Sequence, residues 1–230
     1  MTILTLGDSF TFGAELSDLP NPVAGFFGDD YYDKSTNQVI KMAPSNQAWP
    51  ALLATQLKQT VDNHSVIGGS NSRIFRRAIS DSSQKNYSLV ICAWTELSRI
   101  DIAYQNKECP AAANNPKWPW IKNYFADHYS EFQEQQRFLA QMLALQSYFK
   151  LRQLPYLFIK ALPIKFSTDL NHMYNQLDLD RCVSWNSSMT MLTAGLPRGA
   201  HGHFLEAGHE VVADVIFEAM SCRNMLINYR

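Results

Sequence analysis

No run among the 230 residues approaches the roughly 18 apolar positions of a bilayer-spanning helix, so no membrane partner is expected. No basic segment precedes the first apolar stretch, and Asp8 interrupts that stretch, so a secretory leader is not expected either. Cysteine is sparse: Cys92, Cys109, Cys182 and Cys222 are scattered, with no Cys-x-x-Cys pair and no histidine at zinc-ligand spacing. That pattern speaks for reduced thiols in a cytoplasmic protein and against a metal site or a disulfide framework. Cys92, inside Leu89-Val90-Ile91-Cys92-Ala93, reads as a small core residue. Charge is scarce too, at 18% with a formal net of −1, and gives no reason to expect nucleic acid as a partner. Arg73, Arg76 and Arg77 are a local exception, read first as the solvated face of a short helix and second as an anion site.

Apolar residues, by contrast, reach 46%, enough for one globular domain over residues 1–230 with its own core. Strand-like apolar runs fall at Ile3–Leu6, Ser65–Ile67, Ser88–Ala93 and Tyr156–Ala161. Between them Trp49, Leu52, Leu53 and Leu57 share one helical face after Ser45-Asn46. A longer periodic stretch covers about His128 to Lys150, and another runs from Glu210 to Met220. Strands alternating with helices, the strands apolar throughout rather than at every second position, predict a parallel sheet covered on both faces. Two stretches break the rhythm, near 17–47 and 101–127, and read as loop insertions of the functional kind. In the second, Trp118, Trp120 and Tyr124 either wall a substrate pocket or anchor the insertion to the core.

Two places carry chemistry. Gly7-Asp8-Ser9 follows the first apolar strand directly, which sets Ser9 at the carboxyl end of a parallel strand, where open α/β sheets bind ligands. The competing reading makes Ser9 or Asp8 a helix N-cap. Near the other end, His203 precedes the terminal helix within His203-Phe204-Leu205-Glu206-Ala207-Gly208-His209. A serine on a strand-to-helix turn and a histidine before a last helix suit proton abstraction from a hydroxyl by imidazole.

In that order of blocks the chain resembles the GDSL, or SGNH, hydrolases. Gly7-Asp8-Ser9-Phe10 resembles block one, and Ala48-Trp49-Pro50-Ala51-Leu52-Leu53 the helix after it. Asn63-His64-Ser65-Val66-Ile67-Gly68-Gly69-Ser70-Asn71 resembles block two, and Ala93-Trp94-Thr95-Glu96 block three. The histidine block is carried by His203 with Gly208-His209. The resemblance implies a three-layer α/β/α fold with a central, mostly parallel sheet (SGNH-hydrolase or flavodoxin-like) and a serine-dependent acyl ester hydrolase without metal or organic cofactor. It makes Ser9 the nucleophile, His203 the base, and Gly68 and Thr95 the oxyanion donors, with Asp8, Asn71, Glu206 and His209 as supporting candidates. The implied substrate is a small-molecule or glycan ester.

Two positions depart from the family. Thr95 stands where an asparagine donates to the oxyanion, and Ala200 where an aspartate orients the histidine. The resulting expectation is a Ser9–His203 dyad, with Asn71 as a substitute donor and Glu206 or a remote aspartate as a substitute charge. A second register pairs Glu206 with His209 instead, and His201 is a weaker third base candidate. The same departures favour the alternative of a weak or inactive binding or accessory protein. Gly-x-Ser-Asn in block two and Trp-Thr in block three are most similar to SGNH-like proteins of bacteriophages. A virus-encoded protein acting on host glycans, in the host cytoplasm or the virion, follows from that resemblance.

Overall fold

The computed structural model describes residues 1–19, 30–33, 38–104, 107–111 and 120–223. In chain order its strands and helices are β1 (Thr2–Leu6), α1 (Ser9–Phe12), β2 (Asp30–Asp33), β3 (Gln38–Lys41), α2 (Trp49–Gln56), β4 (Thr60–Asn63) and α3 (Asn71–Ser82). There follow β5 (Leu89–Trp94), β6 (Ile100–Tyr104), β7 (Lys107–Ala111), α4 (Ile121–Asp127), α5 (Glu131–Leu151), β8 (Tyr156–Lys160), α6 (Asn171–Tyr174), α7 (Met189–Leu192) and α8 (Glu206–Cys222).

β5 explains the layering. Its six residues are all buried, and they alternate between two apolar clusters. Leu89, Ile91 and Ala93 pack with Trp49 and Leu53 of α2 and Val212 and Ile216 of α8. Val90, Cys92 and Trp94 pack with Ile74 of α3 and Phe138, Leu139 and Met142 of α5. A strand sandwiched this way has no solvent face to mark with polar residues. The sheet order is β4-β1-β5-β8, with every neighbouring pair parallel. This is the three-layer α/β/α fold that the alternation predicts, and all four strands end at one edge. Among the described residues no helix is long and apolar enough to cross a membrane.

Three elements differ from the sequence reading. The strand expected at Ser65–Ile67 lies earlier, at β4, because it is an edge strand and Thr60-Val61-Asp62-Asn63 is only partly buried. Past its end, Asn63 Oδ1 accepts the Ser65 N–H (3.1 Å). The helix expected from His128 starts at Glu131: Ser130 accepts the Gln133 N–H, and Glu131 and Glu134 charge the first turn. A separate α4 precedes it. The insertions near 17–47 and 101–127 hold two antiparallel pairs, β2 with β3 and β6 with β7. Trp118 lies outside the described residues, Trp120 is half exposed, and Tyr124 packs edge-on against Phe125. Cys92 and Cys182 are buried free thiols, and burial pushes the pKa of both upward.

Candidate active site

β1 runs straight into α1, and Asp8 is the N-cap: its Oδ1 accepts the Phe10 N–H at 3.0 Å. The capping role therefore falls to Asp8, and the neighbouring Ser9 hydroxyl is left for another partner. That partner is His203, whose Nε2 lies 2.8 Å from Ser9 Oγ across 194 positions of sequence. Phe10 flanks the imidazole at 4.9 Å between ring centres, and Phe204 lies 5.3 Å from Phe10.

The expectation that His203 lacks an acid partner needs correction. Its Nδ1 lies 2.7 Å from Glu15 Oε2. The same carboxylate accepts the backbone N–H groups of His201 (2.8 Å) and His203 (3.3 Å). Burial works against the charge of Glu15, but the His201 N–H and the His203 ring and N–H outweigh it and hold the carboxyl below its usual range. Glu15 thus stays ionised at neutral pH.

Local structure explains how an acid six residues from the serine arrives there. Gly13 closes α1 in the left-handed region, and the chain turns back through Glu15, itself at φ 70°. On the opposite side, residues 198–204 form a tight hairpin in which Gly199 donates to the His203 carbonyl. A Cβ at Gly199 would stand 2.5–2.7 Å from the Glu15 carboxylate, so only glycine leaves room for that acid. Sequence reasoning missed Glu15 because it looked three positions before His203. Gly13 and Gly199 were the available signals.

Glu206 and His209 do other work. Glu206 Oε1 accepts the Ser17 N–H (3.1 Å), which ties down the chain just after Glu15. His209 is buried, and its Nδ1 accepts the Trp49 N–H at 3.0 Å. It thereby caps α2, whose own N-cap, Ala48, has no side chain for the task. Desolvation pushes its pKa down to about 3, so the ring is neutral and keeps the lone pair that this bond requires. The register pairing Glu206 with His209 finds no support in this geometry, and His201 meets Glu15 through its backbone.

The third and second blocks meet beside Asp8. Thr95 Oγ1 donates to Asp8 Oδ2 (2.7 Å), and Arg99 reaches the same oxygen (3.0 Å) while also bonding Glu96. Asn71 pairs with the Thr95 backbone in both directions, its Oδ1 accepting from the N–H (2.9 Å) and its Nδ2 donating to the carbonyl (3.0 Å). The sequence reading of Thr95 and Asn71 as oxyanion donors is corrected accordingly: both side-chain donors are directed at other protein groups. Arg99 was not anticipated, and nothing in its spacing marked it. After β4 the chain stays beside β1, His64 donating to Thr5 and Val66 to Gly7, which carries Gly68 to the sheet edge. Gly68 sits at φ +76°, a left-handed conformation suited to glycine. The Gly69 N–H is taken by the Val66 carbonyl (2.9 Å). Among the described residues, no acceptor engages the N–H of Ser9 or of Gly68.

The comparisons with known proteins agree with this architecture. The model of a family of unknown function, DUF6071, matches residues 30–229. The chain belongs to that family. The matched region of this DUF6071 member includes His203 and begins downstream of Ser9 and Glu15. No curated protein matches the chain in sequence. Among solved structures it is similar to TesA (14% identity, 97% of this chain and 99% of that one, TM-score 0.55). It is also similar to the psychrotrophic esterase EstA of Pseudoalteromonas sp. (13% identity, 96% and 97%, TM-score 0.51). A third is a carbohydrate esterase family 2 enzyme with a carbohydrate-binding domain from Corynascus thermopiles (Myceliophthora fergusii), at 13% identity and TM-score 0.55. The alignment covers 96% of this chain and 66% of that longer one. At these identities the likeness is one of fold.

Proposed function

We propose that the chain is a serine ester hydrolase working through a Ser9–His203–Glu15 triad. The observation that carries this reading is the continuous relay of 2.8 Å from Ser9 Oγ to His203 Nε2 and 2.7 Å from His203 Nδ1 to Glu15. Ser9 Oγ attacks the ester carbonyl as its proton passes to His203 Nε2, and Glu15 stabilises the imidazolium formed. The N–H groups of Ser9 and Gly68 face the oxyanion, the role left to backbone because Thr95 and Asn71 are committed elsewhere. The tetrahedral adduct collapses, His203 protonates the departing alkoxide, and the acyl group stays on Ser9. Water then attacks the acyl-enzyme, its proton goes to His203, and the second collapse returns that proton to Ser9 Oγ and releases the acid. The substrate class is a small or carbohydrate-linked ester, by analogy with the fold relatives whose names describe esterases.

The test is labelling by a fluorophosphonate together with turnover of p-nitrophenyl acetate. Wild type should label at one serine and turn over, while Ser9→Ala and His203→Ala lose both by on the order of 10⁴-fold or more. Folded wild-type protein that neither labels nor turns over would sink the proposal. That outcome would favour a binding protein, a reading to which the diverted Thr95 hydroxyl already lends weight.

A further inference from the structure

Lys160 ends β8, a buried strand, with its side chain on the α3–α5 side of the sheet by alternation with Tyr156 and Phe158. It is only 7% exposed, yet among the described residues no carboxylate acts on its ammonium. The Trp185 ring lies beside it, 5.0 Å from Nζ to centroid, and Cys182 also acts on its charge. A lysine this buried is normally matched by an anion, because the desolvated charge is otherwise uncompensated. Burial also pulls its pKa down from the usual lysine value.

The lysine lines an open pocket of about 310 Å³, together with Phe166, Tyr174, Trp185, Asn171 and Asn186. Trp185 turns its ring, not its buried Nε1, to the lysine. Asn171 and Asn186 are exposed, at the rim. The set is an unpaired cation, two amides and three aromatic residues in a volume at the low end of small-ligand pockets. Aromatic faces fit the C–H face of a pyranose, amides fit its hydroxyls, and an unpaired lysine fits a carboxylate. Phosphate alone would use the charge but leave the aromatic walls without purpose. β8 is two strands from β1 in the sheet, about 10 Å at ordinary strand spacing, and both end at the same edge.

We propose that this pocket binds a carboxylated sugar unit, its carboxylate on Lys160 and its ring against Trp185 and Tyr174. The site is separate from Ser9 and does not depend on the hydrolase reading. It would hold an acidic glycan at the sheet edge that carries the candidate triad.

The experiment is calorimetric titration of the full chain with galacturonate and glucuronate, beside galactose, glucose, acetate and inorganic phosphate. At least one hexuronate should bind about tenfold or more tighter than its neutral hexose and than acetate or phosphate. Lys160→Met should abolish that preference, Asn186→Ala should weaken binding severalfold with an unchanged melting curve, and Ser9→Ala should leave binding intact. If Lys160→Met fails to fold, the Asn171→Ala/Asn186→Ala pair at the rim carries the test, with the same loss expected. Three results would overturn the proposal: no hexuronate saturation by about 50 mM, equal affinity for phosphate or acetate, or a preference unchanged in the variants.

Discussion

Two sides of the candidate site depart in opposite ways from the motif pattern that the sequence resembles. On the histidine side the expected acid is missing at Ala200, yet an ionised carboxylate still meets His203 Nδ1, supplied by Glu15 from the other end of the chain. On the Thr95 side the residues stand close to the expected positions, but their donors are consumed by Asp8 and by one another. A proton relay needs a carboxylate at one place in space, and any segment able to reach there can provide it. An oxyanion donor needs an N–H or O–H with no better acceptor nearby, and the buried Asp8 carboxylate is a better acceptor. Position in space is recoverable from a different element, whereas an unengaged donor is lost as soon as a neighbour accepts from it.

The strongest way to break this comparison is at Arg99, which faces the wholly buried Asp8. Arg99→Met leaves that carboxylate short of its cation and should cost about 3–5 kcal/mol of stability in chemical denaturation, the size found for half-broken buried pairs. If stability is unchanged, Asp8 does not depend on Arg99 and the account of the Thr95 side fails. On the histidine side, Gly199→Ala pushes a methyl against the Glu15 carboxylate. Turnover of p-nitrophenyl acetate should fall by about 10²–10³ with little change in KM, since a group acting only on the transition state is displaced.

Thr95→Val separates the two sides directly. It removes a hydroxyl bonded to Asp8 rather than to substrate. About 1–3 kcal/mol of stability should go, while kcat changes only severalfold. A loss of 10²-fold or more in kcat, with stability retained, would return Thr95 to the oxyanion hole. The smallest effect is at His209. Its folded pKa of about 3 is depressed below the ordinary 6.5, so the unfolded chain binds the extra proton as pH falls through that window. Stability should drop by about 2 kcal/mol from this residue between pH 7 and 5. His209→Asn keeps an acceptor for the Trp49 N–H and should flatten that slope, read as melting temperature against pH.

How much was legible follows from burial. β1, β5 and β8 are buried on both faces and read as unbroken apolar runs, so they could be found. β4 carries Asp62 and Asn63 at a sheet edge, and an apolar criterion slid past it to Ser65–Ile67. Ser9 and His203 were legible because strand-ending serines and helix-preceding histidines have local signatures, and the structure brings the two side chains together. Glu15 had only the indirect signals of Gly13 and Gly199: its partner is 188 residues away, and it arrives through a left-handed turn that apolar periodicity does not encode. The diversion of Thr95 was equally hidden, because which acceptor a hydroxyl chooses depends on Asp8 across 87 residues.

The central claim is that Glu15 replaces the absent acid and orients His203. The most direct test is the second-order rate of fluorophosphonate labelling of Ser9 in Glu15→Gln against wild type, with Glu206→Gln as the control. Glutamine at position 15 has no charge to stabilise the imidazolium, and its NH2 turned to Nδ1 would favour the wrong tautomer, so the rate should fall by about 10³–10⁴, while Glu206→Gln stays within severalfold of wild type. Labelling of Glu15→Gln at the wild-type rate, by a chain that still melts as wild type does, would contradict the account.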